Sequence, residues 1–182
     1  MPERTTGLVY ADLFDFPDDG LRRELLDGEM LVSPSPDVRH QVVSRRLVVT
    51  IATYLDAHGG GEVFDAPLDV ILDASTVLQP DVFVVLEANR SIITRENIKG
   101  VPDLVVEIVS DPRVDRVRKR GIYERFRVPE YWVTDPDSDR VEASRLGADG
   151  RYGKPEIFEP GEILTYAPLP GLRIDLAALL SP

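Results

Sequence analysis

The sequence predicts an α/β fold, with a mixed central sheet flanked by helices and a β-rich C-terminal tail. The apolar run DLVVEIV over residues 103–109 is typical of a strand buried on both faces. Apolar residues recur at helical spacing over residues 38–58, and three consecutive glycines end that segment. A second helix is predicted over residues 113–127. Strands placed between two helices along a chain indicate the α/β class.

The remaining elements follow from local patterns. An Asp27-Gly28 turn between two strand-like runs predicts a hairpin over residues 22–33. The other predicted helices cover residues 8–15 and 176–180. The other predicted strands cover residues 61–64, 67–72, 81–86, 131–134, 141–145, 156–159, 163–166 and 172–174, and residues 87–98 are predicted to form a loop.

Length and composition limit the class of protein. A chain of 182 residues with 43% hydrophobic and 29% charged residues predicts one globular domain spanning residues 1–182. No apolar run is long enough to cross a membrane, and Met1–Gly7 lack the apolar core of a secretory signal. The absence of cysteine excludes disulfides and thiolate metal sites, and a reducing cytoplasm is the expected location.

The charge is strongly negative but uneven. Thirty-two acidic residues against 21 basic ones give a net charge of -11, which repels nucleic acid unless the basic residues are gathered in one place. Residues 113–127 gather seven of them: Arg113, Arg116, Arg118, Lys119, Arg120, Arg125 and Arg127. This segment is either a solvated helix face or a surface that contacts phosphates.

Two carboxylates stand out because the common catalytic motifs are missing. The sequence has no HExxH motif, no GxGxxG or Walker loop and no nucleophile elbow. Asp81 opens the strand VFVVL, and Glu107 lies inside LVVEIV. A carboxylate in such a strand must be paired, protonated or bound to a metal. Ordinary salt bridges explain each residue alone, whereas two at neighbouring strand ends suit Mg²⁺ or Mn²⁺.

The helix after Glu107 adds a possible third component. Asp115, Lys119 and Tyr123 are spaced i, i+4 and i+8, so they lie along one helix face. One interpretation is a simple Asp115–Lys119 ion pair. The other places the Lys119 ammonium beside the two strand carboxylates, where it orients water or neutralises charge on a phosphoryl group.

These residues resemble a known family. Pro80-Asp81, Glu107 and a following lysine resemble the PD-(D/E)xK nuclease pattern, which is short and weakly specific. An ordered set of five segments between about residues 10 and 140 more specifically resembles the Uma2 family of endonucleases. These segments are RELLDGEMLVSPSPDVRHQ, QPDVFVV, GVPDLVVEIVSDP, the Asp115/Lys119/Tyr123 ladder and VPEYWVTDP.

The resemblance implies a restriction-endonuclease-like fold with Asp81 and Glu107 as metal ligands and Lys119 as the catalytic lysine. It also implies that Glu24 is a further acidic site residue. By the same resemblance, His40, Asp115 and Tyr123 lie beside the site. The chain departs from the nuclease pattern in two places. Val109 stands where the usual lysine would be, so that role moves to Lys119, and the segment over residues 110–115 is shorter than the family's usual loop.

Three functions are compatible with these observations. The first is an endonuclease that hydrolyses DNA with Mg²⁺ or Mn²⁺, in which the 113–127 arginines together with Arg39, Arg45 and Arg46 contact phosphates. The second is an inactive nuclease fold retained as a binding or assembly module, and the third is a hydrolase of RNA or another phosphodiester. A homodimer or higher homo-oligomer is expected, with Tyr131 and Trp132 either at the interface or in the core.

Overall fold

The computed structural model describes residues 6–17 and 19–181, so most of the segment in which no secretory signal is expected lies outside the described residues. The strands are β1 (Arg22–Leu26), β2 (Glu29–Ser33), β3 (Gly61–Asp65), β4 (Val70–Asp73), β5 (Thr76–Leu78), β6 (Val82–Leu86), β7 (Ile98–Lys99), β8 (Leu104–Ile108), β9 (Glu130–Asp135), β10 (Arg140–Arg145), β11 (Glu156–Phe158), β12 (Ile163–Thr165) and β13 (Arg173–Asp175). The α-helices are α1 (Val38–His58), α2 (Arg120–Arg125) and α3 (Leu176–Leu180), with 3₁₀ helices at Tyr10–Asp15 and Glu87–Ile92 and a π-helical segment at Val114–Lys119.

Two mixed sheets form the framework. One has the strand order β2-β1-β5-β4-β7, the other has the order β11-β10-β9-β8-β6-β3, and β12 pairs with β13 separately. Strand β8 lies between antiparallel β6 and parallel β9, and all five of its residues are buried. This arrangement confirms the α/β class and the double-sided burial predicted for the 103–109 run.

The pairing of β6 with β8 determines where the strand carboxylates meet. Val82 pairs with Val106 in an antiparallel register. One further step along both strands sets Asp81 across from Glu107, so their side chains project from the same face of the sheet. The two residues are therefore brought together by strand pairing alone, although they are far apart in sequence.

The larger sheet has a core on each face. On one face, α1 and α3 pack over the sheet through Leu47, Ile51 and other apolar residues. On the opposite face, Phe83 and Val105 pack with residues of the smaller sheet and of α2, including Leu78 and Tyr123. Asp81 and Glu107 project into this second layer, which is why side chains from both the smaller sheet and the helical segment reach them.

Several predicted elements are confirmed. The 22–33 hairpin turns at Asp27 and Gly28, which both have positive φ as a tight two-residue hairpin turn requires. The 38–58 helix and the strands and helix of the tail also form. Tyr131 and Trp132 are fully buried, which supports the core interpretation of these residues. No helix in the described part of the chain has the length and apolar character needed to cross a membrane.

Other segments differ from prediction. The strand predicted over residues 67–72 begins later, as β4, and a turn connects it to β5. Strand β5 was not predicted, because its three residues are too few to show an alternating pattern. The predicted 87–98 loop contains the 3₁₀ helix and the start of β7. The predicted 113–127 helix is π-helical over its first six residues and α-helical only afterwards.

Arg116 and Asp135 join the π-helical segment to the larger sheet, and we expect this contact to depend on pH. Arg116 donates to Asp135 at 2.6 Å, while the backbone N–H groups of Asp137 and Ser138 bind the other carboxylate oxygen. Burial raises the pKa of Asp135, but hydrogen bonds from Ser138 and Arg116 outweigh it and hold that pKa at about 2. Because the folded pKa lies below the ordinary value of 3.8, the stabilisation is present above about pH 4 and is lost as pH falls toward 2.

We therefore predict that Asp135→Asn lowers the free energy of unfolding at pH 7 by about 2 kcal/mol and flattens its decline between pH 4 and pH 2. Urea unfolding at a series of pH values measures both effects. Asp137→Asn is the matched control, because the Asp137 side chain in the same turn is 98% exposed. An unchanged acid dependence in Asp135→Asn would contradict this assignment.

Candidate active site

Three carboxyl groups converge between the two sheets. Asp81 immediately precedes β6, Glu107 lies in β8 and Glu24 lies in β1 of the smaller sheet. Their exposed fractions are only 4%, 1% and 0%. Carboxylates this deeply buried must be compensated by cations and hydrogen bonds, so the neighbouring donors decide their protonation.

Asp81 is held as a carboxylate by three donors. Arg22 Nη1 lies 2.7 Å from Oδ1, while Oδ2 accepts from the backbone N–H of Ile108 at 2.8 Å and lies 3.1 Å from His40 Nε2. Burial alone would raise the pKa of Asp81, but the contacts with His40 and Arg22 outweigh it and hold that pKa below its usual value. His40 reaches this position from the first turn of α1, where Asp37 caps the helix.

Glu107 has the opposite electrostatic character. Its Oε1 accepts from Lys119 Nζ at 3.0 Å and from the Tyr123 hydroxyl at 2.9 Å. Burial raises the pKa of Glu107 to about 8; the Lys119 ammonium opposes that rise and the nearby Asp81 carboxylate adds to it. The surroundings of the facing pair thus move the two pKa values in opposite directions, that of Asp81 down and that of Glu107 up.

Glu24 joins the smaller sheet to this pair. Its Oε1 accepts from the backbone N–H of Gln79 at 2.9 Å and lies 3.1 Å from Lys119 Nζ. The second oxygen, Oε2, is buried and has no hydrogen-bond partner among the described residues. A buried carboxylate oxygen without a donor is unusual and is chemically suited to a cation.

Lys119 is bridged by Glu107 and Glu24 rather than paired with Asp115, so the simple helix ion pair does not form. Burial would lower the pKa of Lys119, but the two carboxylates outweigh it and raise that pKa, so the ammonium persists. Asp115 Oδ2 instead accepts from the backbone N–H groups of Ser110 and Asp111, which holds the short loop after β8. Asp115 and Lys119 both lie in the π-helical segment, and π-helical turns are frequent at functional sites.

Arg22 is the site residue that sequence reasoning missed. Its guanidinium contacts Asp81, lies 3.4 Å from Glu24 Oε1 and 3.8 Å from Glu107 Oε2, and donates to the carbonyl of Gln79. A signal was available, because side chains two apart on a strand share a face and Arg22 precedes Glu24 by two residues. The hairpin was predicted correctly, but only its acidic residue was considered.

A cleft of about 490 Å³ opens onto this cluster. The lining includes Arg22, His40, Asp81, Glu107, Asp115 and Lys119, whereas Glu24 lies behind it. Two further carboxylates, Asp65 and Asp111, also line the cleft. The charged residues of its lining are therefore mostly acidic, which favours cations and disfavours phosphates unless a cation is bound.

Most of the arginines expected to contact phosphates have intramolecular partners. Arg116 binds Asp135 and Glu142, Arg118 binds Glu29, Arg125 binds Asp27 and Arg39 binds Asp139. Arg46 and Arg120 donate to backbone carbonyl groups. The ion pairs of Arg116, Arg118 and Arg125 thus join the 113–127 segment to both sheets. Among the described residues, exposed Arg45, Arg113 and Arg127 lack such partners.

The donor set is chemically suited to a divalent cation of the Mg²⁺ type, which prefers carboxylate oxygens. Asp81 and Glu107 supply facing oxygens at the cleft, and the unpartnered Oε2 of Glu24 lies behind them. In the metal-free arrangement, no three His, Asp or Glu side chains in the described part of the chain are grouped as a metal centre.

Comparison with known proteins agrees with this architecture. A crystal structure at 1.96 Å of a protein from Anabaena variabilis ATCC 29413, described as a putative nuclease belonging to DUF820, superposes with a TM-score of 0.79. The two chains are 18% identical, and the match covers 96% of this chain and 98% of that one. This similarity establishes a nuclease-like fold. No curated protein sequence matches the chain.

The family comparison covers most of the sequence. The model of the Uma2 family, described as "Putative restriction endonuclease", matches residues 10–177. That range includes both sheets, all three helices up to residue 177 and every residue of the carboxylate cluster. The match supports a nuclease, and the chain belongs to the Uma2 family.

Proposed function

We propose that the protein is an endonuclease that hydrolyses phosphodiester bonds in DNA with the help of Mg²⁺ or Mn²⁺. The observation that carries this proposal is the group of three buried carboxyl groups beside an open cleft, two of which, Glu24 and Glu107, are bridged by Lys119. Burying such a cluster in an apolar layer costs stability, so its presence indicates a functional site. Membership of a restriction endonuclease family supports the choice of reaction.

Asp81 and Glu107 would hold the metal, with Glu24 supporting them from β1. A bound divalent ion polarises a phosphoryl group and lowers the pKa of a coordinated water. Lys119 remains an ammonium between Glu107 and Glu24, so it donates hydrogen bonds rather than accepting a proton. Its role is to orient the attacking water and to stabilise negative charge on the phosphoryl oxygens.

The surrounding residues position these groups. His40 and the backbone N–H of Ile108 orient Asp81, and the Tyr123 hydroxyl orients Glu107. Asp115 holds the loop that precedes the helical segment carrying Lys119. Exposed Arg45, Arg113 and Arg127 are the arginines best able to contact DNA phosphates, and such contacts would weaken as the salt concentration rises.

A second candidate function is that of an inactive nuclease fold used for binding or assembly, either as a homodimer or a higher oligomer. The observation in its favour is the Arg22 guanidinium, which compensates the carboxylates without any metal. The two candidates differ in a direct way. Only the nuclease requires the cluster to bind divalent cations and to cleave a phosphodiester.

We predict that the purified protein nicks supercoiled plasmid in Mg²⁺ or Mn²⁺, and that Asp81→Asn reduces the rate by at least about a hundredfold because a metal ligand is lost. EDTA should abolish cleavage by the wild type. Asp65→Asn is the matched control, because Asp65 lines the same cleft outside the carboxylate cluster. Wild-type rates from Asp81→Asn would refute the ligand assignment, and a wild type inactive on DNA and RNA would favour the assembly module.

Glu107 and Lys119 should separate metal binding from catalysis. We predict that Glu107→Gln abolishes binding of Mn²⁺ while the metal-free variant is at least as stable as the wild type at pH 7, since glutamine resembles the protonated form that burial favours. Lys119→Met should retain Mn²⁺ binding and lose cleavage, because it removes a donor and no ligand. Calorimetric titration and thermal melts in chelator measure these properties. Loss of Mn²⁺ binding in folded Lys119→Met would contradict the division of roles.

A further inference from the structure

The Arg22 guanidinium lies close to all three carboxyl groups of the cluster. One guanidinium nitrogen lies 2.7 Å from Asp81 Oδ1, and the other lies 3.4 Å from Glu24 and 3.8 Å from Glu107. No other cationic side chain among the described residues contacts all three acidic residues; Lys119 contacts Glu24 and Glu107. The guanidinium is therefore positioned to neutralise the cluster as a bound metal ion would.

The charges of the cluster favour one occupant at a time. In the metal-free protein, Arg22 contacts Asp81 and Glu24, and Lys119 contacts Glu24 and Glu107, so two cationic side chains face three carboxyl groups. With all three carboxyl groups ionised and only Lys119 present, a net charge of about −2 remains, which one divalent cation balances. Arg22 and a divalent cation together would leave excess positive charge in a buried site, which is costly.

Arg22 is also the member of the cluster best able to move. Both side chains line the cleft, but that of Arg22 is 22% exposed, whereas that of Lys119 is only 4% exposed. The Arg22 Nε atom is buried without a partner, so the contacts that hold the guanidinium are all at its outer end. Rotation of the side chain toward the cleft would release Asp81 and Glu107 without moving the backbone of β1.

We propose that Arg22 is a built-in counter-ion that satisfies the carboxylates in the metal-free protein and withdraws when a divalent cation binds. This inference rests on the proposed function, because it requires Asp81 and Glu107 to be metal ligands. Arg22 then weakens the apparent affinity for the metal in proportion to the fraction of molecules in which it fills the site. An arginine that occupies the site about 90% of the time weakens binding about tenfold.

The test is a calorimetric titration of Mn²⁺ into the full-length, chelator-treated protein. We expect Arg22→Gln to bind Mn²⁺ about tenfold more tightly than the wild type. Its metal-free melting temperature should be lower, and Mn²⁺ should raise it by more than in the wild type, because unpaired carboxylates gain most from the ion. Arg23→Gln is the matched control: Arg23 is the next residue of β1 and binds Asp19 on the other side of the strand, so its affinity should be unchanged.

Arg22→Lys provides a second variant that retains the charge if Arg22→Gln fails to fold. Lysine has no planar guanidinium with which to contact several carboxylates at once, so we expect the Mn²⁺ affinity of Arg22→Lys to lie between those of the wild type and Arg22→Gln. Asp81→Asn should abolish binding in the wild-type and Arg22→Gln backgrounds, which confirms the site of binding. Weaker binding in both Arg22 variants would overturn the proposal, because Arg22 would then support the ligands rather than compete with the ion.

The remaining outcomes separate the proposed role of Arg22 from the proposed nuclease function. Equal Mn²⁺ affinity in the wild type and the Arg22 variants, with metal-dependent nicking intact, would overturn the role of Arg22 and leave the nuclease assignment standing. Absence of Mn²⁺ binding in the wild type and in every folded Arg22 variant would overturn both.

Discussion

Three carboxyl groups buried against one face of a sheet require compensating positive charge, and much of the structure around them supplies it. Lys119 comes from the helical segment and Arg22 from the smaller sheet, so the cluster links both layers to the larger sheet. Burial makes each of these contacts strong and makes any unpaired member costly. The packing of β1 and the helical segment over β8 is therefore inseparable from the electrostatics of the site.

The protonation of the cluster follows from unequal surroundings rather than from residue type. Asp81 receives hydrogen bonds or close contacts from a guanidinium, an imidazole and a backbone N–H, and the pKa of its carboxyl group stays low. Glu107 accepts from Lys119 and Tyr123, but burial outweighs the ammonium and raises the pKa of Glu107. Two facing carboxyl groups with pKa values pushed apart are typical of sites that carry out acid–base or metal chemistry.

The distribution of arginines changes how the net charge of -11 should be understood. Arg116, Arg118 and Arg125 form ion pairs that join the helical segment to β9, to β2 and to the turn between β1 and β2. The charged groups that line the cleft are mostly acidic, so the cleft disfavours anions. Under the proposed function, a bound cation would reverse that field locally and would make binding of a phosphodiester depend on the metal.

The sequence by itself determined the class of fold and pointed to Asp81, Glu107 and Lys119 as candidate site residues. Apolar runs, helical spacing and the Asp-Gly turn depend on neighbours along the chain, and so they predicted the hairpin, the long helix and the buried strand carrying Glu107. Resemblance to a family added Glu24, and the structure brings it together with Asp81, Glu107 and Lys119. Only the tertiary structure decided the partners of these residues. Lys119 bridges Glu107 and Glu24 instead of pairing with Asp115. Arg116, Arg118 and Arg125 form internal ion pairs, and Arg22 contacts all three carboxyl groups of the cluster. These contacts join residues far apart in sequence, and their strength depends on burial, which no local pattern records.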